Sequence, residues 1–285
     1  MTRPRVVETA LPLHVTEHPG PPDSAETFLL VHGYGGSSYS WHPWVPALCE
    51  RGRVLLVDLK GFGRAPKPDD GRYGPHDLAD LLVELVRELD LRQLTVAGHS
   101  LGGGLSLLTA LRLLDADEPR LARLVLVAAA AYPQRLPPFV GLSKVPWPTD
   151  LMARTVPFRS LIAGVLRSIV HDPATVSAEQ IDAYTAPFLE AEGVRAAMDV
   201  GRRIVPPDLE SLAARYDAIE TPTLLIWGDS DRVVPRSVGE RLAAALPRAR
   251  LEVIPRCGHV PVEEHPEATL GILLAFLDGT PLPAR

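Results

Sequence analysis

The sequence is poor in cysteine and in long apolar runs. Its 2 cysteines among 285 residues, Cys49 and Cys257, stand in no spacing typical of a metal site, a redox motif or a disulfide framework. The longest apolar run, residues 124–131, is far too short to span a bilayer. We therefore expect no disulfide framework, no metal, no other cofactor and no transmembrane segment.

Concentrated positive charge is missing as well. The net charge is −6, the isoelectric point is near 5.9, and the basic residues are scattered along the chain. Neither nucleic acid nor an anionic membrane is therefore an expected partner, which leaves a small molecule. The first 20 residues contain no continuous apolar segment of the secretory type, and this favours a cytoplasmic protein.

Short apolar runs alternate with helical patterns along most of the chain. The runs are rich in Val and Leu and end in turn residues, and leucines between residues 76 and 89 recur at helical spacing. Such runs are typical of a mainly parallel sheet covered by helices, and the first 20 residues predict a hairpin at one edge. The runs are residues 27–33, 53–61, 93–100, 123–131, 222–229 and 250–258.

The alternation breaks between residues 132 and 217. This stretch opens with a proline-rich linker, PQRLPPFVGLSKVPWP, and continues with amphipathic segments of helical periodicity. We interpret residues 132–217 as an all-helical insertion, called the cap below. The core domain would then consist of residues 1–131 and 218–285.

A single serine interrupts a small and apolar run, VAGHSLGGG, at residues 96–104. Gly98, Ser100 and Gly102 match the G-x-S-x-G pattern, in which a serine occupies a strained turn between a strand and a helix. The two glycines are needed because side chains there would keep the strand and the helix apart. A serine that only caps the helix is the alternative interpretation.

A serine hydroxyl is a poor nucleophile at neutral pH, so catalysis would also need a base and a group that orients the base. Asp231 follows a predicted strand in the segment GDSD, and His259 follows the next predicted strand in the segment CGH. Both residues are thus expected on adjacent loops at strand ends, in the chain order serine, aspartate, histidine. Asp229 competes with Asp231 for the carboxylate role.

Taken together, these motifs make the chain resemble the α/β-hydrolases over essentially its whole length. The resemblance rests on HG at 32–33, DLKGFG at 58–63, the serine turn, GDSDRVVP at 228–235 and GHVPVEEHP at 258–266. It implies an α/β-hydrolase fold, with a mostly parallel eight-stranded sheet flanked by helices and with the cap inserted.

The same resemblance implies a role for each candidate catalytic residue. Ser100 would be the nucleophile, and His259 would act first as general base and then as general acid. Asp231 would fix the imidazole tautomer and stabilise the imidazolium. Asp229 stands two residues too early for the G-x-x-D pattern of the family, and Asp231 is therefore preferred.

The oxyanion hole is also implied by the resemblance. Its donors would be the backbone N–H groups of Tyr34, after the HG pair, and of Leu101, after the nucleophile. His32 and His99 flank the site and are interpreted as residues that shape loops. Asp58 is interpreted in the same way, as a structural residue of a loop that faces the site.

A serine nucleophile narrows the chemistry. Epoxide hydrolases and haloalkane dehalogenases of this fold attack with an aspartate, so Ser100 argues against both. The predicted function is the hydrolysis of carboxylic esters of small to medium hydrophobic substrates through an acyl-enzyme on Ser100. Carbon–carbon bond hydrolases of ring-cleavage pathways remain an alternative, although they typically carry a tryptophan where this chain has Val260. A low-turnover receptor of the same fold is a second alternative.

The cap is expected to supply apolar walls for the substrate. Many apolar cap residues must form the core of the cap itself, but some should face Ser100. The residues predicted to line the pocket are Phe139, Val140, Leu142, Trp147 and Leu161 of the cap, with Val260 beside His259.

Overall fold

The computed structural model describes residues 3–145 and 149–279. Within these residues, eight strands form a single sheet. They are β1 (Arg5–Val7), β2 (His14–His18), β3 (Thr27–Val31), β4 (Arg53–Asp58), β5 (Leu94–His99), β6 (Leu121–Val127), β7 (Thr223–Gly228) and β8 (Ala249–Ile254).

The spatial order of the strands is β1-β2-β4-β3-β5-β6-β7-β8. Strands β3 to β8 pair in parallel, whereas β1 pairs with β2 and β2 pairs with β4 in antiparallel fashion. The mostly parallel eight-stranded sheet predicted from the sequence is therefore confirmed, and the hairpin at its edge is present. Since β5 is a central strand, the serine that follows it lies in the middle of the sheet's carboxyl edge.

The helices follow the alternation predicted from the sequence. They are α1 (Val45–Cys49), α2 (Pro75–Glu88), α3 (Leu101–Asp115), α4 (Pro138–Gly141), α5 (Thr149–Thr155), α6 (Phe158–Ile169), α7 (Ala178–Thr185), α8 (Ala191–Arg203), α9 (Leu209–Ala213), α10 (Arg236–Ala245), α11 (Pro261–Glu264) and α12 (Pro266–Leu277). Short 3₁₀ turns connect several of them. None of the helices in the described ranges combines the length and the apolar character needed to cross a membrane.

An apolar core covers each face of the sheet. Along β3, Leu29 and Val31 belong to the core that packs against α2, α3 and α10, whereas Phe28 and Leu30 belong to the core that packs against α1 and α12. This division follows from the strand geometry, because successive side chains point to opposite faces. Burial on both faces explains why the runs are continuously apolar in the sequence.

The segment between β6 and β7 carries α4 to α9 and, in the residues described, no strand. It packs over the carboxyl edge of the sheet, since residues of α6 and α8 join the same core as α3. The division of the chain into a core domain and a separate cap domain with limits at 132 and 217 stays a prediction.

Candidate active site

Ser100 occupies a strained turn between β5 and α3. Its φ of 52° and ψ of −115° lie in a region that residues with a side chain rarely adopt. The turn is fixed by hydrogen bonds: Ser100 N donates to the Val127 carbonyl at 2.9 Å, and Ala130 N donates to the Ser100 carbonyl at 3.0 Å. The backbone therefore holds the serine hydroxyl at the edge of the sheet.

The glycines beside Ser100 are required by close backbone contacts. A Cβ atom at Gly98 would lie 2.3 Å from the carbonyl oxygen of Gly102, and a Cβ atom at Gly102 would lie 2.3 Å from that of Val31. Both distances are far below a van der Waals contact. The sequence interpretation of the G-x-S-x-G pattern, that strand and helix must approach each other, agrees with this geometry.

The three predicted catalytic side chains form one hydrogen-bonded chain. His259 Nε2 lies 3.0 Å from Ser100 Oγ, and His259 Nδ1 lies 2.8 Å from Asp231 Oδ2. Because an ionised carboxylate only accepts hydrogen bonds, the Nδ1–H group donates to Asp231, and Nε2 is left to accept the Ser100 proton. His259 and Asp231 are both buried. This arrangement can activate a serine hydroxyl.

The contacts of the two candidate carboxylates show which one binds His259. Asp231 turns Oδ2 toward His259 and accepts the N–H groups of Val233 and Val234 on Oδ1, at 2.8 and 2.9 Å. Asp229 instead accepts the Ser230 hydroxyl at 2.7 Å, and this hydrogen bond holds the pKa of Asp229 below its usual value. The carboxylate that orients the imidazole is therefore Asp231.

Two hydrogen-bond donors fix the orientation of the peptide between Gly33 and Tyr34. The Gly33 carbonyl accepts His32 Nδ1–H at 2.7 Å and Gly36 N–H at 3.1 Å. In a trans peptide the N–H and C=O groups point in opposite directions. The Tyr34 N–H therefore points away from the two donors that hold the Gly33 carbonyl. Leu101 opens α3, where a helix leaves its N–H group without an intrahelical acceptor. These are the two N–H groups predicted for the oxyanion hole.

His99 contacts the loop of His259 as a neutral imidazole. Burial, with a contribution from the neighbouring His259, lowers the pKa of His99 to about 3. The two rings lie 4.9 Å apart, and His99 Nε2–H donates to the carbonyl of His259 at 2.8 Å. A second positive charge beside the imidazole of His259 is thereby avoided.

A cavity of about 240 Å³ opens above Ser100 and His259. Its walls combine the loops of the core with apolar residues of the cap, and among the latter are Met152, Met198 and Tyr184, which no sequence pattern indicates as pocket residues. Trp147 lies outside the described residues. Of the residues predicted for the pocket, those that line the cavity are Phe139, Val140, Leu142, Leu161 and Val260, and the two residues predicted for the oxyanion hole, Tyr34 and Leu101, lie in the same walls.

The described walls of the cavity carry no charged side chain of Asp, Glu, Lys or Arg. In the same ranges, residues 3–145 and 149–279, no group of His, Cys, Asp or Glu is arranged to hold a metal ion. The cavity is therefore suited to a neutral, apolar molecule whose reactive group reaches Ser100.

Two adjacent glutamates that follow His259 in the chain, Glu263 and Glu264, were not assigned a function from the sequence. Glu263 accepts the Tyr184 hydroxyl at 2.6 Å and Gln180 Nε2 at 2.8 Å, so it connects α11 with α7 of the cap. Glu264 accepts backbone N–H groups of the histidine loop. The only signal in the sequence was an acidic pair next to the histidine motif, and the partners from the cap lie far away along the chain.

Comparison with known proteins agrees with the fold. A family model described as the alpha/beta hydrolase fold matches residues 26–266. The chain belongs to this family. It is 32% identical over 244 residues to the uncharacterized hydrolase YugF of Bacillus subtilis, an overlap of 85% of this chain and 86% of that protein.

Two further proteins are similar to this chain over most of their length. A 2-hydroxy-6-oxononadienedioate/2-hydroxy-6-oxononatrienedioate hydrolase of Cupriavidus pinatubonensis is 27% identical, with 89% of this chain and 87% of that protein covered. A solved alpha/beta hydrolase fold protein from Burkholderia ambifaria is 26% identical, with a TM-score of 0.77 and coverage of 95% and 99%. These similarities support a hydrolase of the α/β fold but leave open which bond it cleaves.

Proposed function

We propose that the protein is a serine hydrolase that cleaves carboxylic esters of small to medium hydrophobic substrates. The observation that supports this most directly is the hydrogen-bonded chain from Ser100 through His259 to Asp231, placed at the base of an apolar cavity. The substrate partner would be a small neutral molecule.

In the first half of the reaction, Ser100 Oγ attacks the carbonyl carbon of the ester, and its proton passes to His259 Nε2. The carbonyl oxygen becomes negatively charged and is stabilised by the N–H groups of Tyr34 and Leu101. Asp231 stabilises the imidazolium. The tetrahedral intermediate then expels the alcohol, which takes the proton from His259, and an acyl group remains on Ser100.

In the second half, a water molecule replaces the alcohol. His259 Nε2 removes a proton from this water as it attacks the acyl carbon, and the same two N–H groups stabilise the second oxyanion. When the intermediate collapses, His259 returns the proton to Ser100 Oγ, and the carboxylic acid leaves. The reaction needs only water as a second substrate.

Carbon–carbon bond cleavage is the second candidate, because a relative of 27% identity carries the name of such a hydrolase. The substrate in that name is a dicarboxylate. A carboxylate in a closed site calls for arginine or lysine partners, since an unpaired buried charge is costly. The described walls of this cavity offer neither residue, and this favours the neutral ester.

The test is a series of p-nitrophenyl esters measured beside one vinylogous diketo acid of the ring-cleavage type. We expect kcat/KM to rise with acyl length and then to fall, with an optimum at roughly C4 to C8, because each buried methylene contributes about 0.8 kcal/mol while room remains. A diketo acid preferred by about a hundredfold would overturn the ester assignment. Binding without turnover of either class would favour the receptor alternative.

A further inference from the structure

The backbone around His259 is held by partners outside its own loop. Gly258 N donates to both carboxylate oxygens of Glu264 at 2.9 Å, and Val260 N donates to Glu264 Oε1 at 3.2 Å. His259 N donates to the Ile169 carbonyl at 2.8 Å. Three successive N–H groups are thus bound by one carboxylate and by the end of one cap helix.

Glu264 also contacts the cap. Ile169 is the last residue of α6, and the N–H group of His171, two residues later, donates to Glu264 Oε2 at 2.7 Å. The end of α6 packs closely on the histidine loop, because a Cβ atom at Gly258 would lie 2.3 Å from the Ile169 carbonyl oxygen. One carboxylate therefore connects the histidine loop with the chain that follows α6.

A carboxylate suits this position chemically. It has two acceptor oxygens and no donor, whereas the groups around it are donors: three backbone N–H groups and the Cys257 thiol. Gly258 and Val260 are buried, and backbone N–H groups in such a place require an acceptor. The carbonyl of His259 is also bound, because it accepts a hydrogen bond from His99 Nε2–H at 2.8 Å. The peptide planes on both sides of His259 are therefore fixed.

We propose that Glu264 is a positioning residue. It keeps the imidazole of His259 within hydrogen-bond reach of Ser100, at the observed 3.0 Å, and it ties the histidine loop to the end of α6. The inference rests on the proposed function, because it requires His259 to act as the base. Glu264 takes no part in the chemistry itself, since its oxygens accept the backbone N–H groups of residues 258, 260 and 171 and the Cys257 thiol.

Two substitutions at this position separate its roles. Glu264→Ala removes every acceptor that the side chain provides, and we expect kcat on p-nitrophenyl butyrate to fall by about 10²-fold, because a displacement of about 1 Å has a cost of this size. Glu264→Gln keeps one acceptor oxygen, and we expect a loss of about tenfold, with KM within roughly threefold of wild type in both variants. Glu267→Gln, at an exposed position in the first turn of α12, is the matched control with unchanged kcat.

A second readout follows the serine–histidine pair without any ester. The rate at which a fluorophosphonate labels Ser100 should fall in each Glu264 variant by the same factor as kcat. Thermal melts of all variants accompany the assay. A lowered melting temperature together with wild-type labelling and wild-type kcat in the folded protein would assign Glu264 a structural role only, and would overturn the proposal. Should Glu264→Ala fail to fold, Glu264→Gln carries the test.

The outcomes distinguish this inference from the proposed function. If the wild-type protein is labelled at Ser100 but hydrolyses no ester, the ester assignment is wrong, while the labelling rates still measure the effect of Glu264. If the wild-type protein hydrolyses esters and both Glu264 variants match it in kcat and labelling, the positioning role is wrong and the esterase assignment is unaffected.

Discussion

The floor and the roof of the cavity are built differently. At the floor, Ser100, Asp231 and His259 lie on loops held by hydrogen bonds of the backbone: Ser100 N donates to Val127, His259 N donates to Ile169, and two N–H groups of the acid loop donate to Asp231. The roof consists of apolar side chains on cap helices, and some of these remain exposed, such as Leu142 at 52% and Leu161 at 41%. We therefore expect catalysis to depend on the fixed backbone geometry of the floor and substrate choice to depend on the side-chain volume of the roof, so that mutations separate the two.

The largest effect is expected at the nucleophile. Ser100→Ala should abolish ester hydrolysis, with a loss of kcat on the order of 10⁶-fold, because the acyl-enzyme cannot form. The same variant should melt within a few degrees of wild type, since alanine fits the turn that the surrounding hydrogen bonds impose. Activity and a thermal melt are measured on one preparation. A variant that keeps its activity would show that Ser100 is not the nucleophile.

The next effect concerns the carboxylate. Asp231→Asn should lower kcat by about 10³ to 10⁴-fold, because an amide no longer fixes the imidazole tautomer that accepts the serine proton. Asp229→Asn is the matched control on the same loop and should change kcat little, since Asp229 accepts the Ser230 hydroxyl instead. The steady-state rates of the two variants decide the point, and an exchange of their effects would refute the assignment.

Substitutions in the roof should have weaker effects, and these should be confined to the selectivity among substrates. Phe139→Ala enlarges a wall of the cavity, and we expect the ratio of kcat/KM for octanoate over butyrate esters to rise about tenfold, close to the gain from two buried methylenes. Leu189→Ala serves as control, because Leu189 is a cap residue that is 68% exposed and does not line the cavity. Equal ratios in all three proteins would mean that the cap does not measure chain length.

The smallest effect is expected for the stability of the contact between floor and roof, which Glu263 provides. Burial raises the pKa of Glu263 to about 7, with a further contribution from the charge of Glu264. The folded protein therefore holds this proton more tightly than the unfolded chain, so the free energy of unfolding falls as the pH rises from about 4.5 to 7. Between pH 5 and pH 8, the melting temperature of wild type should decline by a few degrees more than that of Glu263→Gln.

The control for this titration is Glu267→Gln, whose melting temperature should follow wild type across the same pH range because Glu267 is exposed. Parallel curves for wild type and Glu263→Gln would show that the carboxyl between α11 and α7 does not titrate in this window.

The floor was predictable from the sequence because its determinants are local. The strained serine needs Gly98 and Gly102 within two residues, and Asp231 and His259 lie within a few residues of the ends of β7 (Gly228) and β8 (Ile254). Periodicity of the apolar runs was sufficient to predict a mostly parallel sheet. Each of these signals lies within a few residues of the group that it positions.

The contacts between floor and roof were not predictable, because they join distant parts of the chain. Glu263 and Tyr184 are 79 positions apart, and nothing near either residue identifies its partner. Among the described cap residues, an apolar side chain looks the same in sequence whether it lines the cavity or packs in the cap, so Met152 and Met198 were not assigned to the pocket. Trp147 stays a prediction.

One comparison of two substrates tests the central claim most directly. The wild-type protein is assayed with p-nitrophenyl hexanoate and with the same ester carrying a carboxylate at the far end of its acyl chain. We predict that the neutral ester is hydrolysed with a kcat/KM at least about 100-fold higher, because the described walls offer a buried carboxylate no positive partner and leaving it unpaired costs several kcal/mol. A charged ester hydrolysed as fast as the neutral one, or no hydrolysis of either, would contradict the account.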